Sequence, residues 1–223
     1  MRVQENKKQE GEQTMKKELE YFAIEGAFGG NQDWFSNVVM NMGGLRCGNG
    51  VRQLYLFCKI YGNACIVSLR YQQSDKEDYK RFSQVMKPYI RPRVGGVRKL
   101  SWYVDGFSKY IAAVQAKLDI EEAGFLNIRM QEVSGDVEYA EAYRQIKSQI
   151  DAGLPVPYLM LKHKNTEEFK DFTWHWFLVV GYEEKDEDML IRIATYGEEI
   201  WLSLRKMWAT GYEEKGGIVL YTI

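Results

Sequence analysis

The side chains best suited to nucleophilic chemistry in this sequence are three cysteines and two histidines. A thiolate is a strong nucleophile, and imidazole is the usual general base near neutral pH. Cys47 lies in the segment GGLRCGNG, just before a predicted buried helix whose positive end would stabilise both a thiolate and an oxyanion. Cys58 and Cys65 have apolar neighbours and are expected to be buried, where a thiol behaves as a small hydrophobic group.

The two histidines differ in their surroundings. His163 lies in the polar segment LKHKN and is expected at the surface, whereas His175 begins the strongly apolar segment HWFLVVGY. Two interpretations fit His175: a core histidine bonded to the backbone, or a base at the mouth of a cleft walled by Trp174 and Trp176. Under the second interpretation, these two tryptophans and Trp34 would bind an extended peptide or a small ligand.

Length and composition predict an ordinary globular protein. The chain has 223 residues, of which 45% are hydrophobic and 27% are charged, and its formal net charge is -1. A nearly neutral chain has no global field that attracts a polyanion, so nucleic-acid binding is not expected. The apolar stretches are too short to cross a bilayer and the polar N-terminus has no apolar signal region, so we expect a cytoplasmic protein without a membrane segment.

The cysteines and histidines do not predict a metal site or a disulfide scaffold. An odd, small number of cysteines favours reduced thiols over paired disulfides. A zinc site needs about four ligands at short spacing, which these five residues do not supply. The glycine-rich segment 26–50 contains no phosphate-binding loop motif, so no cofactor is expected either.

Hydrophobic periodicity predicts helices in the N-terminal half and strands in the C-terminal half. The expected helices are 51–61, 74–87 with Ser74 as N-cap, 102–118, and 136–151 with Asp136 as N-cap. The expected strands are 21–24, 155–161, 173–182, 189–195, 199–204 and 217–223, with the acidic run 183–188 as the solvated tip of a hairpin. Residues 1–17 are expected to form a disordered tail and residues 18–223 a single domain. The predicted fold class is α+β, with a helical half packed on an antiparallel sheet in two lobes around a cleft.

Several segments of the chain resemble the papain-fold cysteine peptidases of the double-glycine, bacteriocin-processing-like group. They are a PV-x-x-L strand at 155–159, a histidine strand of the form HW-x-x-V-x-GY at 175–182, and a strand that ends at Thr195 before a glycine turn. The closing GGIVLY and the upstream GGNQDWF, which is followed by a second double glycine, are similar to uncharacterised bacterial members of the group. The resemblance covers residues 20–70 and 150–223.

This resemblance implies a papain-like fold and a hydrolase of peptide or amide bonds. Carried over residue by residue, it makes Cys47 the nucleophile, His175 the base, Thr195 the residue that orients the imidazole, and Gln32 the donor to the oxyanion, with Asn41 as the second choice. The alternative for the segment NQDW around Gln32 is a capped turn.

The sequence departs from the family pattern at two places. The nucleophile of the family directly follows the double glycine, whereas here Leu45 takes that place and Cys47 comes two residues later. Aligned without a gap, the chain is an inactive relative; a two-residue insertion restores Cys47 as the nucleophile. The papain pattern also orients its histidine with Asn or Asp, and the neutral Thr195 does not stabilise an imidazolium as a carboxylate does.

Two hypotheses therefore stand at the level of sequence. The first is a cysteine peptidase-like thiol hydrolase with a peptide or small amide substrate. The second is a catalytically inactive relative that binds a peptide or small ligand in the same cleft. The sequence predicts no oligomeric state.

Overall fold

The computed structural model describes residues 15–29, 31, 34, 75–90, 96–117 and 127–223, and these form an α+β fold with an antiparallel sheet. The strands are β1 (Lys16–Glu18), β2 (Ala23–Ile24), β3 (Ala27–Phe28), β4 (Arg129–Ser134), β5 (Val156–Met160), β6 (His175–Lys185), β7 (Asp188–Thr195), β8 (Glu198–Ser203) and β9 (Gly216–Thr222). The helices are α1 (Lys76–Met86), α2 (Leu100–Gln115), α3 (Tyr139–Asp151), α4 (Thr166–Phe169) and α5 (Leu204–Trp208), with a 3-10 turn at Lys170–Phe172.

The long strand β6 organises the sheet. The strand order is β4-β9-β5-β6-β7-β8, and β1 adds to β6 as the seventh strand. Along one edge of β6, His175 pairs with Met160 of β5 and Tyr182 pairs with Lys17 of β1. The other edge pairs with β7, so β6 is covered on both sides and its apolar segment is almost wholly buried.

Two hydrophobic clusters cover the two faces of the sheet. Trp176 points to the cluster that contains α2, where its ring stacks on Tyr103 with 5.0 Å between ring centroids. Phe177 points to the opposite cluster, which contains α3 and α5. This alternation is what a strand buried on both faces requires, since successive side chains point to opposite sides.

The helix starts differ in detail from those expected. Helix α1 begins after Asp75, whose carboxylate accepts a hydrogen bond from the Asp78 N–H at 2.7 Å, so Asp75 is the N-cap and the expected Ser74 cap is wrong. Helix α3 begins after Glu138 and not at the expected Asp136. The Asp136 carboxylate instead accepts a hydrogen bond from the Ser134 hydroxyl. The predicted helix 51–61 lies outside the described residues.

Two residues of the predicted N-terminal tail belong to the sheet. Lys16 and Lys17 belong to β1, although we predicted a disordered tail as far as residue 17. The strand is held because Leu19 is buried, its N–H donates to the Val180 carbonyl at 2.8 Å, and Glu18 pairs with Arg192 at 2.9 Å. Lys16 and Lys17 are therefore part of a paired strand.

Candidate active site

The base of the candidate site is His175, the first residue of β6. Its side chain is 3% exposed, and its Nε2 lies 2.6 Å from Oγ1 of Thr195, the last residue of β7. Leu178 and Ala194 are directly opposite each other in the two strands, which places His175 and Thr195 diagonally across the ladder on one face. The sheet register thus brings together two of the residues that the sequence predicted as catalytic.

Thr195 fixes the orientation of the imidazole ring but not its charge. The threonine side chain is fully buried, so its hydroxyl is held in one place beside Nε2. A hydroxyl both donates and accepts, so it can bond either neutral tautomer as well as the imidazolium. With Nε2 engaged, Nδ1 is the ring nitrogen that would serve a nucleophile.

Tyr196 is the residue of this site that the sequence analysis missed. Its ring stacks on the His175 ring with 4.6 Å between centroids and 9° between planes. Its hydroxyl donates to the Asp171 carbonyl at 3.2 Å and lies 3.3 Å from Nδ1 of His175. Nδ1 thus has a hydroxyl neighbour in Tyr196, as Nε2 has in Thr195.

The backbone on both sides of the bonded pair is in the left-handed region. Tyr196 has φ 49° and Gly197 has φ 81°, which makes the two-residue connection between β7 and β8 a turn of type I′. Asn, Asp and Gly favour this conformation, whereas other residues lose about 1–2 kcal/mol there. Trp174, which precedes His175, has φ 55° and donates its N–H to the Leu161 carbonyl.

The N-terminal hairpin reaches the same turn. Phe28 donates its N–H to the Gly197 carbonyl at 2.6 Å, and a Cβ added to Gly197 would lie 3.3 Å from Cβ of Asn31. Asn31 therefore lies beside the turn that follows Thr195. Gln32 itself lies outside the described residues, as do Asn41, Leu45 and the three cysteines, Cys47, Cys58 and Cys65.

The three tryptophans predicted to bind substrate have different environments. Trp174 is 42% exposed next to His175, and the Lys162 ammonium lies 5.9 Å from its ring centroid. Trp176 is fully buried and donates its indole N–H to the Val97 carbonyl at 2.7 Å. The prediction that Trp176 lines the wall of a cleft is therefore wrong. Trp34 packs its ring edge against Tyr79 of α1, with centroids 5.7 Å apart. Among the three, Trp174 has an exposed ring, and it directly precedes His175 in the chain.

His163 is buried and not at the surface as expected. It is 5% exposed, its Nδ1 accepts the Asn165 N–H at 3.0 Å, and its Nε2 lies 3.0 Å from the Lys206 carbonyl. A carbonyl only accepts, so Nε2 carries the proton and donates it. His163 therefore has a structural role, because it ties the segment before α4 to α5.

The described parts of the chain give no indication of a metal site or of a membrane span. Within them, no three His, Cys, Asp or Glu side chains are grouped so as to hold a metal ion. None of the helices described is both long and apolar enough to cross a bilayer.

No family model, curated protein or solved structure matches the chain.

Proposed function

We propose that the chain is a papain-like thiol hydrolase that acts on peptide or amide bonds. In this proposal Cys47 is the nucleophile, His175 the base, Thr195 the orienting residue and Gln32 the donor to the oxyanion. The observation that carries it is the 2.6 Å contact between Nε2 of His175 and Oγ1 of Thr195, which holds the buried imidazole in one orientation.

In the proposed reaction, the two ring nitrogens of His175 have different roles: Nε2 is bonded to Thr195, and Nδ1 exchanges protons. Nδ1 of His175 takes the proton of the Cys47 thiol, and the thiolate attacks the substrate carbonyl carbon. The tetrahedral oxyanion accepts hydrogen bonds from Gln32 and from the helix start next to Cys47. The imidazolium then gives its proton to the leaving amine as the C–N bond breaks. Water hydrolyses the acyl thioester, with His175 removing the water proton and returning it to the sulfur.

The two-lobed papain-like arrangement is part of the same proposal. The supporting contact is between the N-terminal hairpin and the Gly197 turn, where the Phe28 N–H donates to the Gly197 carbonyl and Asn31 lies beside the turn. The exposed Trp174 ring beside that end suits the flat backbone of an extended peptide.

A second candidate function, ligand binding without catalysis, is favoured by one observation. The group bonded to Nε2 is a neutral hydroxyl and not an amide or a carboxylate, and only a carboxylate stabilises an imidazolium by its charge. If Leu45 occupies the nucleophile's place, the Trp174 side of the site would bind a peptide without cleaving it.

Reaction with a peptide that bears an electrophile separates these functions. The full chain is incubated with a peptidyl vinyl sulfone, and the modified residue is located by peptide mass mapping. We expect an adduct at Cys47 in the wild type and in the C58S and C65S variants, with a loss of at least tenfold in rate in H175A. Modification of the three cysteines at equal rates, or an equal rate in H175A, contradicts the hydrolase; reversible binding of the same peptide without an adduct supports the second candidate.

A further inference from the structure

We propose that Tyr196 takes over the task of the missing Asn or Asp: it is a positioning residue that stabilises the imidazolium form of His175. This inference rests on the proposed function, because an imidazolium is needed between proton uptake from the thiol and proton release to the leaving amine. It deepens that function by naming a group that supports the charged state.

The first argument is the stacking of the two rings. The face of an aromatic ring carries negative partial charge, so a cation placed over that face is stabilised. The ring of Tyr196 is parallel to that of His175 at a centroid distance of 4.6 Å, well within the range of a cation–π contact. Burial of the imidazole strengthens the effect, since little water competes for the charge.

The second argument is the direction of the phenol dipole. The Asp171 carbonyl can only accept, so the Tyr196 hydroxyl proton is directed to it over the 3.2 Å contact. The negative end of the hydroxyl, its oxygen, is then left facing Nδ1 at 3.3 Å. This arrangement favours positive charge on the ring.

The third argument is the backbone conformation that Tyr196 adopts. The hairpin of β2 and β3 has a turn of the same kind, with Glu25 at φ 47° and Gly26 at φ 84°, and there the side chain of the first turn residue is exposed. In the turn after Thr195 the left-handed position is occupied by Tyr196, whose ring stacks on His175. Backbone strain thus occurs at the residue that contacts the base, and strained residues of this kind cluster at functional sites.

The Tyr196 variants distinguish the effect of Tyr196 on the pKa of His175 from that of other charged groups. Among the described residues of the 3-10 turn and of the β7–β8 connection, the charged side chains are those of Lys170, Asp171 and Glu198, the last of which pairs with Thr195 across the turn. The two carboxylates would favour an imidazolium and the ammonium would oppose it. They stay unchanged in every Tyr196 variant, so a change in the pKa of His175 reports on Tyr196.

The test is a titration of the two histidines by NMR in the full chain with Cys47 replaced (C47S). His163, fixed by two backbone partners, is the internal reference. Y196F keeps the stacked ring and removes the hydroxyl. Y196N removes the ring and supplies the residue that a type I′ turn prefers, so it is expected to fold. E25N makes the same change in the other turn and is the matched control.

We expect Y196N to lower the pKa of His175 by about 0.5 to 1.5 units, Y196F to lower it by less than half as much, and E25N to leave it unchanged. An unchanged or higher pKa in Y196N overturns the inference, and so does a fall in Y196F as large as that in Y196N. The titration needs no reactive thiol. A shift in Y196N together with a Cys47 that reacts independently of His175 would overturn the hydrolase and leave the role of Tyr196 standing.

Discussion

The imidazole of His175 and the hydroxyl of Thr195 come together from neighbouring strands, with 2.6 Å between Nε2 and Oγ1. The contact depends on the register of β6 and β7, in which Leu178 lies opposite Ala194. A shift of one residue would turn Thr195 to the other face of the sheet and break the contact. The orientation of the base is therefore a property of the central sheet.

Replacing Thr195 by valine tests this contact at nearly constant volume. T195V leaves a buried ring nitrogen without its hydroxyl, and we expect a loss of about 1–3 kcal/mol in the free energy of unfolding together with slower modification of Cys47. T195S keeps the hydroxyl and is expected to retain most of both quantities. Urea denaturation and adduct formation measure the two effects; equal behaviour of T195V and T195S would show that the hydroxyl does not hold the ring.

A second prediction concerns the two tryptophans that flank His175 in the sequence. W176F removes the indole N–H that donates to the Val97 carbonyl and part of a fully buried ring, so we expect a loss of about 2 kcal/mol in unfolding free energy. W174F changes a half-exposed ring and is expected to stay within about 0.5 kcal/mol of the wild type. Urea denaturation measures the free energy of unfolding of both variants. Similar losses in W176F and W174F would contradict the burial of Trp176 and the exposure of Trp174.

These environments show what the sequence could and could not predict. The segment WHWFLVVGY predicts a strand and so places Trp174 and Trp176 on the same face, but it does not say which of them is covered by another element. Trp176 is covered by α2, whereas Trp174 lies just before the strand and stays half-exposed. Burial of this kind depends on packing between distant segments.

The prediction that Thr195 meets His175 came from the family resemblance, and the structure gives the contact. The stacking of Tyr196 could not be predicted, because a tyrosine is a poor candidate for a left-handed turn residue.

His163 was predicted at the surface because its polar neighbours in LKHKN suggest a surface loop. Its burial comes from backbone partners in Asn165 and in the short helix α5, which the sequence did not predict. Strand β4 was also missed, since only Val133 of its six residues is buried.

A third prediction concerns Asp188, which follows the exposed β6–β7 turn and is not part of a solvated tip as expected. Its carboxylate accepts hydrogen bonds from the N–H of Met189 at 2.7 Å, the hydroxyl of Tyr139 at 3.0 Å, the N–H of Arg205 at 3.1 Å and the hydroxyl of Ser203. Burial works to raise the pKa of Asp188, but these bonds together hold it below its ordinary value.

Because the folded-state pKa of Asp188 is lowered, its stabilisation is fully present above the ordinary carboxyl pKa of about 3.9 and is lost as the pH falls through the lower folded-state value. We expect D188N to lose about 1–3 kcal/mol at pH 7 and the gap to the wild type to shrink below about pH 4. D186N, at the exposed left-handed turn residue, is the matched control and should not destabilise the chain. A gap that is constant from pH 7 to pH 3 would contradict the assignment.

A fourth prediction concerns the attachment of β1 to the sheet. A Cβ on Gly181 would lie 2.9 Å from the Lys17 carbonyl oxygen and 3.2 Å from Cα of Glu18, so G181A should weaken the pairing of β1 with β6. Hydrogen exchange of the Leu19 amide, which is bonded to the Val180 carbonyl, should become at least tenfold faster. The Gly135 amide, bonded to the Gly216 carbonyl at the far side of the sheet, should keep its protection. Unchanged exchange at Leu19 would mean that β1 tolerates the methyl group.

The most direct test of the central claim is the pH dependence of Cys47 alkylation by iodoacetamide, measured with and without the His175 imidazole. If His175 takes the thiol proton, Cys47 in the wild type reacts at neutral pH much faster than Cys58 and Cys65, and its rate profile has a midpoint well below that of an ordinary thiol, about pH 8.5. In H175A the midpoint should move up to about pH 8.5. Identical profiles in the two proteins would contradict the claim that this imidazole activates Cys47.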